Sequence, residues 1–323
     1  MLLDDAASTP QHLLHWARQA PQTIAVIERE RGYTYGDLAQ CVVQYVATLR
    51  VSGVGPGMLV GVLCEHRYLH LALIFACDVI GATSVSLSGV DVTENDEILD
   101  RCDFLRVYGA MPAHSGSAGL LHLTQEVIDR IARMPVDADA LSMLDTRRAE
   151  ADLVRLVRTS GSTGRAKIMP LTQANLTRMI RRTRALGDAL GYERHFINLY
   201  GFTLRSAFIE SVIAISTGCT IVSSHLETVF TDLDRFPSTR MTLVPRDVVT
   251  LLGACPAGWR GPRRCKLYVS GGNLPAEVIS AADAGDRDRP ALRLRHDRNP
   301  LAGEAGRRGH RGDHGGCRYP DRR

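Results

Sequence analysis

Two spacings of apolar residues run through the first 282 positions of the chain. Apolar residues three and four apart predict helices. One opens at Ser8-Thr9-Pro10 and carries Leu13, Leu14 and Trp16. A second follows Tyr33-Thr34-Tyr35-Gly36-Asp37-Leu38 and lines up Leu38, Val42, Val46 and Leu49 on one face. The run from Leu69 to Ile80 is apolar nearly all round and stops at Gly81, the pattern of a buried helix ending before the next strand. Thr172 is placed to cap a further helix that runs to about Arg184. Short β-branched runs predict strands at 23–27, 59–63, 104–108, 153–157, 196–199, 219–223, 240–244 and 266–270. Val54-Gly55-Pro56-Gly57 is a turn before the second of them. Helices and strands alternate without an internal repeat or a low-complexity linker. The expected fold class is α/β.

The pattern stops at Ala282. Residues 283–323 contain no Val, Ile, Phe, Met, Trp or Lys and are dominated by Arg, Asp, Gly and Pro. Such a segment cannot bury enough apolar surface to offset its ordering entropy, so it is expected to be a disordered tail. Charge follows the same division. The tail holds eleven Arg against seven acidic residues, which accounts for the whole net charge of +4 and leaves residues 1–282 formally neutral. A neutral body gives no electrostatic footprint for nucleic acid. No apolar stretch reaches membrane-spanning length, and Met1-Leu2-Leu3-Asp4-Asp5 is not the start of a secretory signal. Eight scattered cysteines without a C-x-x-C pair fit reduced thiols, and the histidines show no ligand spacing. A cytoplasmic protein with no structural metal is expected.

Chemistry concentrates in residues 158–167, Arg-Thr-Ser-Gly-Ser-Thr-Gly-Arg-Ala-Lys. The segment follows the strand Leu153–Val157 and was placed by its pattern directly ahead of the Thr172 helix, an order that offers backbone N–H groups to an anion. Gly161 and Gly164 permit close backbone approach, and Ser160, Ser162 and Thr163 add hydroxyl donors. Lys167 supplies a mobile point charge. Only two of the 39 basic residues are lysines, Lys167 and Lys266, so a Lys at this position stands out. The spacing is not that of the nucleotide P-loop, whose glycines are separated by four residues.

The segment resembles the signature of the adenylate-forming superfamily, T-S-G-[ST]-T-G-x-P-K-G, through Thr159, Ser160, Gly161, Ser162, Thr163, Gly164 and Lys167. It departs from it at Ala166 and Ile168, where Pro and Gly are usual. Four weaker elements resemble the same family in the same order: Tyr33–Leu38, Val54–Val60, Val79-Ile80-Gly81-Ala82 and Leu267-Tyr268-Val269-Ser270-Gly271-Gly272. The resemblance spans about 280 residues. It implies most of the large N-terminal domain of that fold, mixed sheets layered with helices, in residues 1–282, with the small C-terminal domain absent. It implies ATP-dependent activation of a carboxylic acid as its adenylate, with Mg²⁺, and CoA or a carrier phosphopantetheine as acceptor. Ser162, Thr163 and Lys167 would then handle the β- and γ-phosphates. Ser270, Gly271, Gly272 and Asn273 would lie beside the adenine and acyl pocket, and Tyr200 would wall the acid tunnel, although an ordinary core tyrosine explains Tyr200 equally well.

In this family a Tyr-Gly-x-Thr-Glu motif follows the Ser-Gly-Gly element by some two dozen residues, its Thr and Glu serving the α-phosphate and Mg²⁺. The chain lacks it in frame. Back-translating Leu294-Arg295-His296-Asp297-Arg298-Asn299 and shifting by one nucleotide gives codons that permit Tyr, Gly, Thr or Met, Thr, and Glu. The expected protein is therefore a truncated, frameshifted acyl-CoA synthetase-like ligase, catalytically incomplete as written. The alternatives are a non-catalytic nucleotide- or acyl-binding fragment with a basic tail, and a chain that does not fold stably.

Overall fold

The computed structural model describes residues 2–88, 102–107, 119–137, 139–159, 167–190, 194–236, 238–256, 259, 264–272, 274–275 and 278. The expected tail 283–323, the segment 160–166 and Asn273 lie outside the described residues.

The first third alternates as the apolar pattern requires: α1 (Thr9–Gln19), β1 (Ile24–Glu28), β2 (Arg31–Thr34), α2 (Tyr35–Val51), β3 (Leu59–Leu63), α3 (Arg67–Ile80) and β4 (Thr83–Ser86). There follow β5 (Phe104–Val107), β6 (Gly119–His122), α4 (Gln125–Ala132), a 3-10 turn at Ala140–Leu144, β7 (Leu153–Thr159), β8 (Lys167–Thr172) and α5 (Gln173–Leu190). The last third is β9 (His195–Asn198), α6 (Arg205–Thr217), β10 (Thr220–Ser223), α7 (Val229–Arg235), β11 (Ser238–Leu243), α8 (Pro245–Gly253) and β12 (Arg264–Val269).

Polar residues at the helix starts set the boundaries. Ser8 and Gln11 cap α1 reciprocally, Thr34 and Asp37 do the same for α2, and Thr172 with Asn175 opens α5. Each such cap contributes about 1 kcal/mol. At the other end, Gly81 and Gly218 take left-handed φ of 85° and 74° and stop α3 and α6. Gly218 has a second constraint, because a Cβ there would sit 2.7 Å from Cζ2 of Trp16.

The strands form two six-stranded sheets, ordered β12-β11-β9-β10-β1-β2 and β6-β5-β3-β4-β7-β8. Five strands of each are parallel, and each sheet is closed at one edge by an antiparallel hairpin, β1–β2 in the first and β7–β8 in the second. Helices α3 and α6 touch strands of both sheets. They are buried throughout, α3 from Tyr68 to Ile80 and α6 from Ala207 to Ser216. This is the expected environment of a helix apolar on every side. With α1, α2 and β7 they build the main core, and Ile197, Met241, Leu243, Val248 and Leu267 form a second beneath α8.

The α/β expectation holds, as do the predicted strands to within about two residues. The sequence reading differs at one point that bears on function. The segment after β7 does not lead into a helix. Lys167 begins strand β8, paired antiparallel with Thr159, and α5 starts only after that strand ends. The helix expected to follow the segment is thus preceded by a strand. β8 is hard to read from sequence because Pro170 interrupts it, and Pro is tolerated there because β8 is an edge strand.

Candidate functional site

In parallel sheets, ligands are bound beyond the carboxyl ends of the strands. Here the carboxyl ends of both sheets meet at one seam, and buried polar side chains cross it. The guanidinium of Arg67, at the start of α3, donates to the carbonyls of Asn198, Leu199 (3.1 Å) and Ser224 (3.1 Å), just past β9 and β10. Glu28, the last residue of β1, accepts the backbone N–H groups of Arg67 and Tyr68, both at 2.8 Å, and pairs with His66 Nδ1 at 2.8 Å. Burial alone would raise the Glu28 carboxyl, but these hydrogen bonds and the His66 contact together bring it below the usual glutamate value. Arg67 is lowered by burial.

On the other sheet, His70 of α3 donates from Nδ1 to the Cys64 carbonyl (2.8 Å), and its Nε2 accepts from the Ser86 hydroxyl (2.6 Å). Burial, with the Arg155 charge second, pushes His70 down to about 3, so the ring is neutral at pH 7 and this tautomer is the consistent one. Arg155, from the middle of β7, joins the sheets by donating to Ser86 Oγ and to the carbonyl of Phe202 (2.7 Å).

The predicted residues fall at two places, the end of β7 and a corner of the first sheet. Thr159 and Lys167 are a register pair where β7 ends and β8 begins; Ser160, Gly161, Ser162, Thr163 and Gly164, which come between them in sequence, lie outside the described residues. Tyr200, Ser270, Gly271 and Gly272 gather at a corner of the first sheet. The Tyr200 hydroxyl donates to Asp247 Oδ2 (2.7 Å) and accepts from the Val244 N–H (3.0 Å). Burial and that carboxylate push its phenol upward. Ser270 N–H donates to the Leu243 carbonyl at 2.9 Å. Gly271 takes φ of 85°, and a Cβ on Gly272 would press Pro245 Cγ at 3.2 Å. Tyr200 is half-buried and packs against both apolar clusters, so it stands at the junction of the two cores and within neither. Sequence reading missed Arg67, His70, Ser86 and Arg155. The available signal was Arg155 alone, an arginine in the middle of an otherwise apolar strand.

A cavity of about 500 Å³ opens elsewhere, between the β1–β2 turn, α2 and α4, with Arg31, Tyr33, Gln44 and Asp129 in its wall. It contains none of the predicted site residues.

Residues 13–287 match the family described as AMP-binding enzyme. The chain belongs to this family. It is similar to a feruloyl-CoA synthase of an Amycolatopsis species, 32% identical over 173 residues that cover 50% of this chain and 32% of the relative. The chain thus spans about a third of the length of that relative. In fold it matches the o-succinylbenzoate CoA synthetase of Bacillus subtilis in complex with its acyl-adenylate intermediate, with a TM-score of 0.69 at 17% identity, over 85% of this chain and 56% of the other. It also matches the N-terminal subdomain of Klebsiella oxytoca NpsA, with a TM-score of 0.71 at 17% identity, over 86% and 71% of the two chains. These likenesses place its architecture with the N-terminal domain of AMP-binding enzymes. Among the described residues no helix is long and apolar enough to cross a membrane.

Proposed function

We propose that the chain binds ATP at the seam through Thr159–Lys167, as the N-terminal part of a ligase that activates a carboxylic acid as its adenylate. What supports this reading is that Thr159 and Lys167, which bracket the segment in sequence, form a register pair where β7 ends and β8 begins. Lys167, Ser162 and Thr163 handle the β- and γ-phosphates, with Ser160 and Thr159 beside them and Gly161 and Gly164 shaping the turn. The corner of Tyr200, Ser270, Gly271, Gly272 and Asn273 forms the adenine and acid side. In the complete enzyme the acyl group passes to CoA or a carrier phosphopantetheine, in the cytoplasm and without nucleic-acid partners.

Nucleotide binding without turnover is the activity assigned to the chain as written. Attack of a carboxylate on the α-phosphorus needs stabilisation of a developing pentacoordinate centre. The Glu that the family resemblance assigns to Mg²⁺ is missing from the reading frame. Among the described residues no cluster of three His, Cys, Asp or Glu side chains could hold a metal ion. No step is assigned to Mg²⁺. On this reading residues 1–282 are the AMP-binding part and 283–323 an out-of-frame tail.

The test is acid-dependent exchange of pyrophosphate into ATP over a panel of aliphatic and aromatic acids. The chain should show none above a Lys167→Ala control. Exchange clearly above that control would overturn the assignment. Sequencing codons 280–300 supplies the second arm, since a shift of one nucleotide should produce Tyr-Gly-x-Thr-Glu and restoring it should restore exchange.

A further inference from the structure

Three arginines whose side chains are at most 8% exposed each meet a carboxylate. Arg148 lies 3.3 Å from Asp78, Arg184 lies 2.8 Å from Asp5, and Arg240 lies 3.1 Å from Glu210. Arg155 differs from these three. It is 1% exposed, yet its donors meet only neutral oxygens: Ser84 Oγ at 3.2 Å, Ser86 Oγ, and the Phe202 carbonyl at 2.7 Å. Its guanidinium also lies 4.6 Å from the centre of the Phe208 ring. The Ser86 hydroxyl donates a hydrogen bond to His70 Nε2, and His70 is neutral, so no negative charge stands behind the hydroxyl. Burial lowers Arg155 to about 9, which leaves it charged at pH 7.

The direction of the side chain matters as much as its charge. Arg155 is in register with Ser84, but its fork also reaches Ser86, two residues nearer the carboxyl end of β4. It therefore leans toward the seam. Its backbone leads within four residues to Thr159, and its Phe202 contact holds the loop that carries Tyr200. A cation buried without a counter-ion is unfavourable, and the lack of one at a site that should receive a polyanion suggests what balances it.

We infer that Arg155 is a positioning residue of the nucleotide site, fixing the Tyr200 loop against the β7 strand with a charge that is balanced by the phosphates of the bound nucleotide. This rests on the ATP-binding reading above. In a water-poor seam a fixed charge acts over a longer distance than in solvent, so direct contact with phosphate is not required.

The test compares the affinities of the full chain for ATP and for adenosine, by titration calorimetry, in wild type, Arg155→Gln and Arg155→Lys. Gln can keep part of the hydrogen bonding without the charge, and Lys keeps the charge without the fork. Arg155→Gln should weaken ATP by about tenfold while adenosine changes by less than about twofold, and Arg155→Lys should lose less than about threefold for ATP. Parallel losses for ATP and adenosine, or equal losses in the Gln and Lys variants, would overturn the inference. Should Arg155→Gln not fold, the pH profile of Arg155→Lys decides. A buried lysine sheds its proton as pH rises, so the ratio of its ATP affinity to that of wild type should fall between pH 6 and 8. A constant ratio overturns the inference. A wild-type chain that binds adenosine and ATP equally would instead remove the ATP-phosphate reading on which the inference rests.

Discussion

Each sheet ends in an antiparallel hairpin, and the two hairpins are connected very differently. β1 and β2 are joined by two residues, Arg29 and Glu30, between the register pair Glu28 and Arg31. Both take left-handed φ, 49° and 65°, as the tightest hairpin turns require, although neither is a glycine or asparagine. β7 and β8 perform the same edge-closing task with seven residues, Ser160 to Ala166, between Thr159 and Lys167. Two residues suffice to close such an edge, and the first hairpin accepts backbone strain to do so. Five more, drawn mainly from Ser, Thr and Gly, are not explained by chain closure. The first connection does no more than close its edge, and the proposed nucleotide-binding role falls to the second.

Exchanging the connections should break the contrast most strongly. Replacing residues 160–166 by Asn-Gly should leave the denaturation midpoint unchanged or higher, since a short primed turn matches the strand twist. ATP affinity should fall at least about a hundredfold, as several charge-assisted hydrogen bonds are lost together. A shortened hairpin that still binds ATP would return the longer connection to a structural role.

Lys167→Ala probes the same hairpin with one side chain. Loss of one charged contact to phosphate should cost about tenfold to a hundredfold in ATP affinity with no change in melting temperature. The first hairpin should respond the other way, through stability. Glu28→Gln removes a carboxylate that holds the start of α3, and should destabilise the protein by about 1–3 kcal/mol at pH 7. Because the folded value of Glu28 lies below its unfolded value of 4.5, its contribution is present above that pH and is lost as pH falls through the folded value. Denaturant midpoints measured down the acid limb should therefore converge for wild type and Glu28→Gln. The smallest effect is expected at the turn itself. Arg29→Asn with Glu30→Gly should relieve the left-handed strain and add about 1 kcal/mol of stability, less whatever the exposed Arg235–Glu30 pair supplies, with ATP affinity untouched.

The same contrast explains what could be read from the chain alone. Helices α1, α2 and α3 carry strong periodicity and polar caps, so their faces and starts were legible, and the parallel strands stand out as β-branched runs. β2 was not legible because Arg31-Gly32-Tyr33-Thr34 is a partly exposed edge without apolar alternation. β8 was hidden by Pro170, and with it the antiparallel pairing of β7 and β8. Of the site, residue types and order were visible, but not the seam that brings the two sheets together. Arg67 and Arg155 act across the seam through partners 47 to 157 positions away in sequence, and no local pattern encodes such contacts.

The central claim is that nucleotide is held at the seam and not in the cavity beside α2 and α4. Amide hydrogen exchange of the full chain with and without saturating ATP tests it most directly. Exchange should slow in peptides covering 155–172 and 198–204, and Lys167→Ala should abolish the effect at the same ATP concentration. Slowing confined to 29–45 and 125–132, or slowing at 155–172 that survives Lys167→Ala at full strength, would contradict it.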